Sequence, residues 1–297
     1  MLRAYAQLCT FHHRLFILFL MPDNLSISLV IYYPDEAVLA ETLNTLYHAA
    51  DFAKSNGVIE DFYLVIVDNS ASNFNSETYE AFKMRIMLPI WSGRMTFLVA
   101  PHNLGYGRGH NLAINERCEN FHLILNPDVI LNQNAVLESI HYLRQYSQVG
   151  MVTPISFRLD GQQEYLCKRY PTLWILFLRG FAPKWLKQWF KAQLVHYELS
   201  DLDNSSRNDV LIASGCFMFF RKQALLDVDG FSERFFLYFE DFDLSLRLLR
   251  FNWQIAFVPA VKIIHHGGHS AKKGYQHIRM FVQSAGLFFS RHGWRFW

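Results

Sequence analysis

Three carboxylates fall within four residues at Glu240, Asp241 and Asp243, directly behind the apolar run Phe235-Phe236-Leu237-Tyr238-Phe239. Acids in the first turn of a helix complement its macrodipole at about 0.3–1 kcal/mol per charge, which accounts for one or two of them. Three acids crowded beside an apolar wall repel one another and lose hydration, and both effects raise a carboxylate's pKa toward general-base work. Helix capping is the alternative reading. Another acid, Asp128, closes the strand-like run His122–Leu125 in Asn126-Pro127-Asp128, which aims it at a sheet rim. A hard divalent cation on a diphosphate takes one or two protein carboxylates and fills its shell with phosphate and water, so one aspartate suffices; a plain proline–aspartate turn is the alternative. In His265-His266-Gly267-Gly268-His269, the i, i+4 histidines have helical zinc spacing. Two glycines oppose a helix there and no HExxH glutamate is present, so one histidine reaching a metal at the strand ends is the better reading, with a solvated loop histidine as the alternative. The stretch Asn103–Asn111 (NLGYGRGHN) follows a strand and opens a helix, where backbone N–H groups can approach phosphate. His110 stands where the dinucleotide fingerprint requires glycine, and a tight turn is the alternative.

Elements of alternating type must position these groups. Ile27–Tyr32, Tyr63–Val67, Met95–Val99 and His122–Leu125 have the β-rich pattern of strands, and residues 35–54, 77–84 and 108–119 have helical periodicity. The βαβα order predicts a mostly parallel sheet with ligands at the carboxyl ends of its strands. Turn-forming or acidic residues stand at each of those ends, in Tyr32-Tyr33-Pro34, Asp68-Asn69-Ser70, Asn103–Gly107 and Asn126–Asp128. Beyond a helix at residues 135–146, Val149–Phe157, Leu211–Phe220 and Gln254–Val258 read as further strands. No repeat or flexible linker divides the chain, which predicts an extension over 1–23, one domain over 24–270 and a C-terminal appendage over 271–297.

The 297 residues are 51% hydrophobic and 16% aromatic but only 18% charged, which excludes disorder, collagen and coiled coil. Lys and Arg (28) nearly balance Asp and Glu (26), too evenly for a domain held to nucleic acid through phosphates. Cys9, Cys118, Cys167 and Cys216 form no CxxC pair, which fits a reducing compartment. The early apolar run Leu15–Met21 is far shorter than the roughly 20 residues a bilayer span needs, and Pro22-Asp23-Asn24 follows it instead of a cleavage site. Met21 is a candidate working start. In residues 184–191 helical spacing puts Trp185, Leu186, Trp189 and Phe190 on one side and Lys184, Lys187, Gln188 and Lys191 on the other. That is the pattern of a helix lying in a bilayer interface, with Trp174–Leu178 and the aromatic C-terminus extending it; a surface helix packing its aromatics inward is the alternative.

Together these motifs resemble the family 2 inverting glycosyltransferases of the GT-A fold, within them the rhamnosyltransferase-like branch. The resemblance runs from about Ser26 to Ser270 and rests on Asp68-Asn69-Ser70, Asn103–Asn111, LNPDV at Leu125–Val129, SGCFMFFR at Ser214–Arg221, GFSERFFLYFEDFDLSLR at Gly230–Arg247, and HHGGHS at His265–Ser270. It implies an α/β fold with a mixed, mostly parallel sheet flanked by helices. It also implies a nucleotide-sugar donor lying across the strand ends, with Tyr32 and Asp68 on base and ribose and Asn69 in support. Asn103, Gly105, Gly107, Asn111 and Asn126 would line the diphosphate and sugar. Asp128 would hold Mg²⁺ or Mn²⁺, with His265 as a further ligand. Asp241 would be the base, with Glu240 beside it, and Phe236, Tyr238 and Asp243 would face the acceptor. The implied reaction moves a sugar, L-rhamnose from its dTDP form, to a lipid-linked saccharide in bacterial surface polysaccharide synthesis. The enzyme would then be cytoplasmic and peripheral on the inner face of the cytoplasmic membrane. A UDP-hexose transferase of the same fold and a silent sugar- or nucleotide-binding subunit are the alternatives. Departures from the pattern are Asn126 in place of a second metal-site acid, Tyr33 in place of a common Asn, and Ser232 in place of Asp.

Overall fold

The computed structural model describes residues 23–70, 76–200, 203–267 and 274–297. The predicted 1–23 extension therefore lies, apart from Asp23, outside the described residues, as does His269. The chain order begins β1 (Asn24–Ile31), α1 (Glu36–Ser55), β2 (Asp61–Asp68), α2 (Ser76–Ile86), β3 (Met95–Val99), α3 (Tyr106–Glu116), β4 (Phe121–Leu125), β5 (Val129–Leu131), α4 (Ala135–Gln145) and β6 (Val149–Phe157). It continues with β7 (Gln163–Glu164), β8 (Cys167–Lys168), α5 (Leu173–Gly180), α6 (Lys184–Trp189), α7 (Lys191–Tyr197), β9 (Ile212–Ala213) and β10 (Phe217–Arg221), then α8 (Lys222–Asp227), α9 (Glu240–Arg250), β11 (Gln254–His265) and α10 (Tyr275–His292).

The main sheet runs β3-β2-β1-β4-β10-β6-β11-β5, with β7 on β6. Strands β3, β2, β1 and β4 are mutually parallel, β10 runs against both β4 and β6, and β11 is parallel to β6. Alternation along β1 assigns its two faces. Leu25, Ile27, Leu29 and Ile31 are buried in one core with Leu39, Leu43 and Leu46 of α1. On the other face Ser26 and Ser28 are equally buried, and they are satisfied by a polar ladder. The Ser26 hydroxyl meets His122 Nδ1 (2.8 Å), His122 Nε2 meets the Ser28 hydroxyl (3.0 Å), and that hydroxyl meets His110 Nδ1 (2.8 Å). Burial pushes His122 down to about 3 and His110 well below its usual range, so both stay neutral. His110 thus ties α3 to the sheet.

Three expectations need correction. The strand expected over Leu211–Phe220 is two strands with different partners. Ile212–Ala213 pairs with β8 in a small second sheet, Phe217–Arg221 joins the main one, and Ser214–Cys216 between them is left to serve the site. The interfacial helix is also rearranged. Its helix stops at Trp189, so Leu186 and Phe190 pack inward with Trp174 and Leu194 while Trp185 and Trp189 stand 60% and 79% exposed. Finally, the C-terminal appendage is built into the core. Phe288 and Phe289 of α10 are fully buried in one cluster with Phe235, Phe239 and Leu176.

Candidate active site

The glycine loop between β3 and α3 is fixed from both sides. Asn103 accepts the Gly105 N–H at its Oδ1 (2.9 Å), and Asn69 donates Nδ2–H to the Gly105 carbonyl (2.9 Å). Gly105 has φ +83°, and a Cβ there would stand 2.1 Å from the Phe236 carbonyl oxygen, which accepts the Tyr106 N–H (3.1 Å). Only glycine fits that position. Asp68 is fully buried at the end of β2, and its Oδ1 takes the Ser70 N–H (2.8 Å) and hydroxyl. It shapes the strand-end turn, whereas Tyr32 beside it is half exposed at the rim.

Two residues expected on the donor do other work. A Cβ on Gly107 would meet Phe231 at 2.9 Å, so this glycine allows α3 to approach that ring. Asn111 donates to the Phe231 carbonyl and accepts its N–H, both at 2.8 Å. The pair substitutes for a strand's hydrogen bonds and anchors the segment leading to the carboxylates. Asn126 sits half-buried at the end of β4, its N–H donated to the Cys216 carbonyl (2.9 Å).

Asp128 and His265 come together as expected. His265 Nε2 lies 3.4 Å from Asp128 Oδ1, and the neighbouring His266 N–H is donated to the Asp128 carbonyl (2.9 Å). The opposite ring nitrogen, Nδ1, donates to Glu164 Oε2 (2.9 Å). Burial opposes a charged His265, but the hydrogen bonds and charges of Asp128 and Glu164 outweigh it and push its pKa up to about 9. Asp128 Oδ1 is buried without a hydrogen-bond partner, and 3.4 Å is too long for a good one from His265. A carboxylate oxygen and an imidazole nitrogen this close, with the far imidazole N–H held by a second carboxylate, could together hold a divalent cation. Among the described residues no three His, Cys, Asp or Glu side chains converge on one point. An ion here would thus have two protein ligands and complete its shell from a ligand's phosphates and water. Glu164 was missed in the sequence because a two-residue strand leaves no local pattern.

The carboxylate cluster opens α9 behind a strained turn. Tyr238 and Phe239 both adopt left-handed backbone, with φ of 71° and 65°, costing of order 1–3 kcal/mol each. The turn leads directly into Glu240 and Asp241 at the start of α9. Asp241 accepts the Gly215 N–H at Oδ2 (3.0 Å) and its own Phe242 N–H at Oδ1 (2.9 Å), and it remains partly exposed. Glu240 is buried with Oε2 unpartnered. Burial raises both pKa values; Asp241's charge raises Glu240 further, while the two N–H donors limit the rise at Asp241. Asp241 is therefore the member of the pair that ionises first. Tyr106, whose hydroxyl donates to the Gly215 carbonyl (2.5 Å), lies within electrostatic reach of this pair and of Asp128.

Asp241 also lines a cleft of 730 Å³ with Tyr238, Phe239, Arg179, Phe181 and Phe281. None of Tyr32, Asp68, Asn103 or Asp128 is among the residues lining this cleft. Phe236 stays at the glycine loop, and Tyr238 meets His277 Nδ1 through its hydroxyl (3.0 Å). Asp243 is not on this cleft, contrary to expectation. It is fully buried, accepting from Arg247 Nε (2.7 Å) and His292 Nε2 (2.8 Å), with Arg291 at 3.0 Å. Positions i and i+3 share a helix face, so Glu240 and Asp243 point inward while Asp241 points out.

A family model described as glycosyltransferase like family 2 matches residues 28–279. Among curated proteins, an N-acetylglucosaminyl-diphospho-decaprenol L-rhamnosyltransferase of Mycobacterium tuberculosis (strain ATCC 25618 / H37Rv) is 27% identical over 212 residues, covering 65% of this chain and 66% of that protein. Rhamnosyltransferase WbbL of Escherichia coli (strain K12) is 26% identical over 176 residues, covering 56% and 62%. The matches thus span just under two thirds of the length of these relatives. Among solved structures, mannosyltransferase PcManGT from Pyrobaculum calidifontis, in complex with GDP-Man and Mn²⁺, superposes with a TM-score of 0.59 at 15% identity, over 92% of this chain and 64% of that one. GalNAc-T7 with UDP, GalNAc and Mn²⁺ gives 0.57 at 10% identity, over 91% and 51%. The fold is GT-A.

Proposed function

The chain belongs to glycosyltransferase-like family 2, and from that premise we propose that it transfers a sugar from a nucleoside-diphosphate donor to a hydroxyl of a lipid-linked saccharide, with inversion at the anomeric carbon. The observation that carries the reading is Asp241: an ionisable, partly exposed carboxylate at the floor of an open cleft, held by two backbone N–H donors. In the reaction the acceptor hydroxyl gives its proton to Asp241 as its oxygen bonds to the anomeric carbon. The bond from that carbon to the diphosphate breaks on the opposite side, and the nucleoside diphosphate leaves as an anion that needs no protonation. Asp128 and His265 are the residues to hold Mg²⁺ or Mn²⁺, which when bound supplies charge neutralisation of the leaving diphosphate. Asn69 and Asn103 keep the glycine loop in shape to line the diphosphate, and Tyr32 offers a ring for the base.

L-rhamnose from dTDP-rhamnose is the proposed donor, supported by the rhamnosyltransferase names of both curated relatives. The lipid-linked acceptor is supported by the diphospho-decaprenol in one of those names, and such an acceptor would bring the work to a membrane surface, which we propose is the inner face of the cytoplasmic membrane. Among the described residues no helix is long and apolar enough to cross a bilayer. Domain limits near 24–270 for catalysis, with α10 closing the core, belong to the same reading. A screen of nucleotide sugars with Mn²⁺ by thermal shift, followed by NMR of the product's anomeric configuration, tests it. Stabilisation by dTDP-rhamnose with an inverted product supports the proposal, and a shift only with UDP-hexoses would replace the donor.

A further inference from the structure

Residues 165–197 and 274–297 contain nine of the 28 Lys and Arg residues and none of the 26 acids. They also hold five of the seven tryptophans. The fold brings these two segments together: the N–H groups of Leu173 and Trp174 are donated to the carbonyls of Arg295 (2.9 Å) and Phe296 (3.1 Å), and Trp174 lies against Trp297 (5.8 Å between ring centroids) and Phe177 (5.6 Å). We propose that this joint face is a docking surface for an anionic lipid bilayer, and that it holds the mouth of the Asp241 cleft at headgroup level.

Several observations make the bilayer its occupant. Helix α6 already spends Leu186 on the core, yet Trp185 and Trp189 pair edge to face in solvent, and Trp297 is 88% exposed. Indole rings with an apolar body and a polar edge favour the bilayer interface, where lysines beside them reach headgroups. Among the described residues no carboxylate pairs with Lys184, Lys191 or Arg279, so their charges are available to anionic headgroups, whereas Arg179 and Arg291 are paired to Glu198 and Asp243. The rest of the chain carries all 26 acids against 19 Lys and Arg and is repelled by the same surface, which fixes orientation as well as attraction. Lastly, the patch is continuous with the site. Exposed Phe181 and Ile278 both line the Asp241 cleft, and Phe177 and Val282 carry the apolar surface outward one helical turn from each. An amphiphile's hydroxyl can therefore reach Asp241 while its tail stays in the membrane.

The inference rests on the proposed lipid-linked acceptor, but its test does not depend on transfer. Co-sedimentation of the full chain with phosphatidylcholine vesicles, with and without phosphatidylglycerol, should show binding that needs the anionic lipid and weakens with salt. A Trp185→Ala/Trp189→Ala/Trp297→Ala variant and a Lys184→Glu/Lys191→Glu variant should each lose about tenfold or more in partitioning. Both should keep wild-type transfer to a water-soluble, short-chain acceptor, since none of these side chains reaches the carboxylates. Wild-type chain that ignores anionic vesicles, or both variants binding as wild type, would overturn the surface. Vesicle binding as expected from a chain without transferase activity would leave the surface standing and overturn the functional reading alone.

Discussion

Asp243→Ala separates the structural member of the carboxylate cluster from its chemical members. The side chain is fully buried, and its two oxygens take Arg247, His292 and Arg291 at 2.7–3.0 Å. Removing it strands a guanidinium that is itself buried and, among the described residues, otherwise bonded to the carbonyls of Val228 and Gly230. Breaking a buried pair in this way costs about 3–5 kcal/mol. A domain this size loses roughly 2–4 °C in Tm per kcal/mol, so the expected fall is roughly 6–20 °C by calorimetry. The loss depends on pH with a definite sign. Burial alone would raise the Asp243 pKa, but the hydrogen bond from His292 and the charge of Arg247 outweigh it and hold it below the usual range. Its stabilisation is therefore complete above the unfolded aspartate pKa of about 3.9 and disappears as pH falls through the lower folded value. The gap between wild type and variant should be widest near neutrality and close in acid. Transfer measured well below the variant's Tm should survive. An unchanged Tm together with abolished transfer would refute this reasoning and return Asp243 to the acceptor side.

Glu164→Ala should weaken Mn²⁺ binding, followed by electron paramagnetic resonance, about 10–100-fold, with Glu164→Gln restoring part of it; in a His265→Ala background the same change should add nothing, and an added loss there would mean that Glu164 acts elsewhere. Because the base must be ionised and burial raises Asp241, the acid limb of kcat/KM should lie above the ordinary aspartate value of about 3.9, with activity falling as pH drops through it. An acid limb at or below that value would contradict the burial argument. Gly105→Ala forces a Cβ toward the Phe236 carbonyl at a positive φ, and should lower both stability and donor binding; a variant matching wild type in both would show the loop to be more pliant than its geometry indicates.

The parallel half of the fold was legible because its signals are local. Short β-rich runs mark β1 to β4, and Asp35 announces α1 by accepting from the N–H groups of Ala37 and Val38. The polar residues at the strand ends likewise marked a rim with Tyr32 and Asp128, while Asp241 stood out through the acid cluster behind the aromatic run. What the sequence hid was set by partners far along the chain. Asp243 has one partner at i+4 but two others 48 and 49 residues away on α10, and Asn111 and Gly107 are claimed by Phe231 about 120 residues on. No spacing rule distinguishes an asparagine that binds a sugar from one that braces a backbone. The aromatic-basic helix failed differently. Periodicity puts Leu186 and Phe190 beside Trp185 and Trp189, but the helix ends at Trp189, and Leu186 and Phe190 pack inward with Trp174 and Leu194, partners outside the periodic window.

Transfer by Asp241→Asn tests the central assignment most directly. The amide keeps the size of the side chain and its single oxygen can still accept one of the Gly215 and Phe242 N–H groups, but it cannot take the acceptor's proton. The expected result is a fall in kcat of about 10²–10⁴ with Mn²⁺-dependent donor binding preserved. Transfer at the wild-type rate would contradict the assignment of Asp241 as the base.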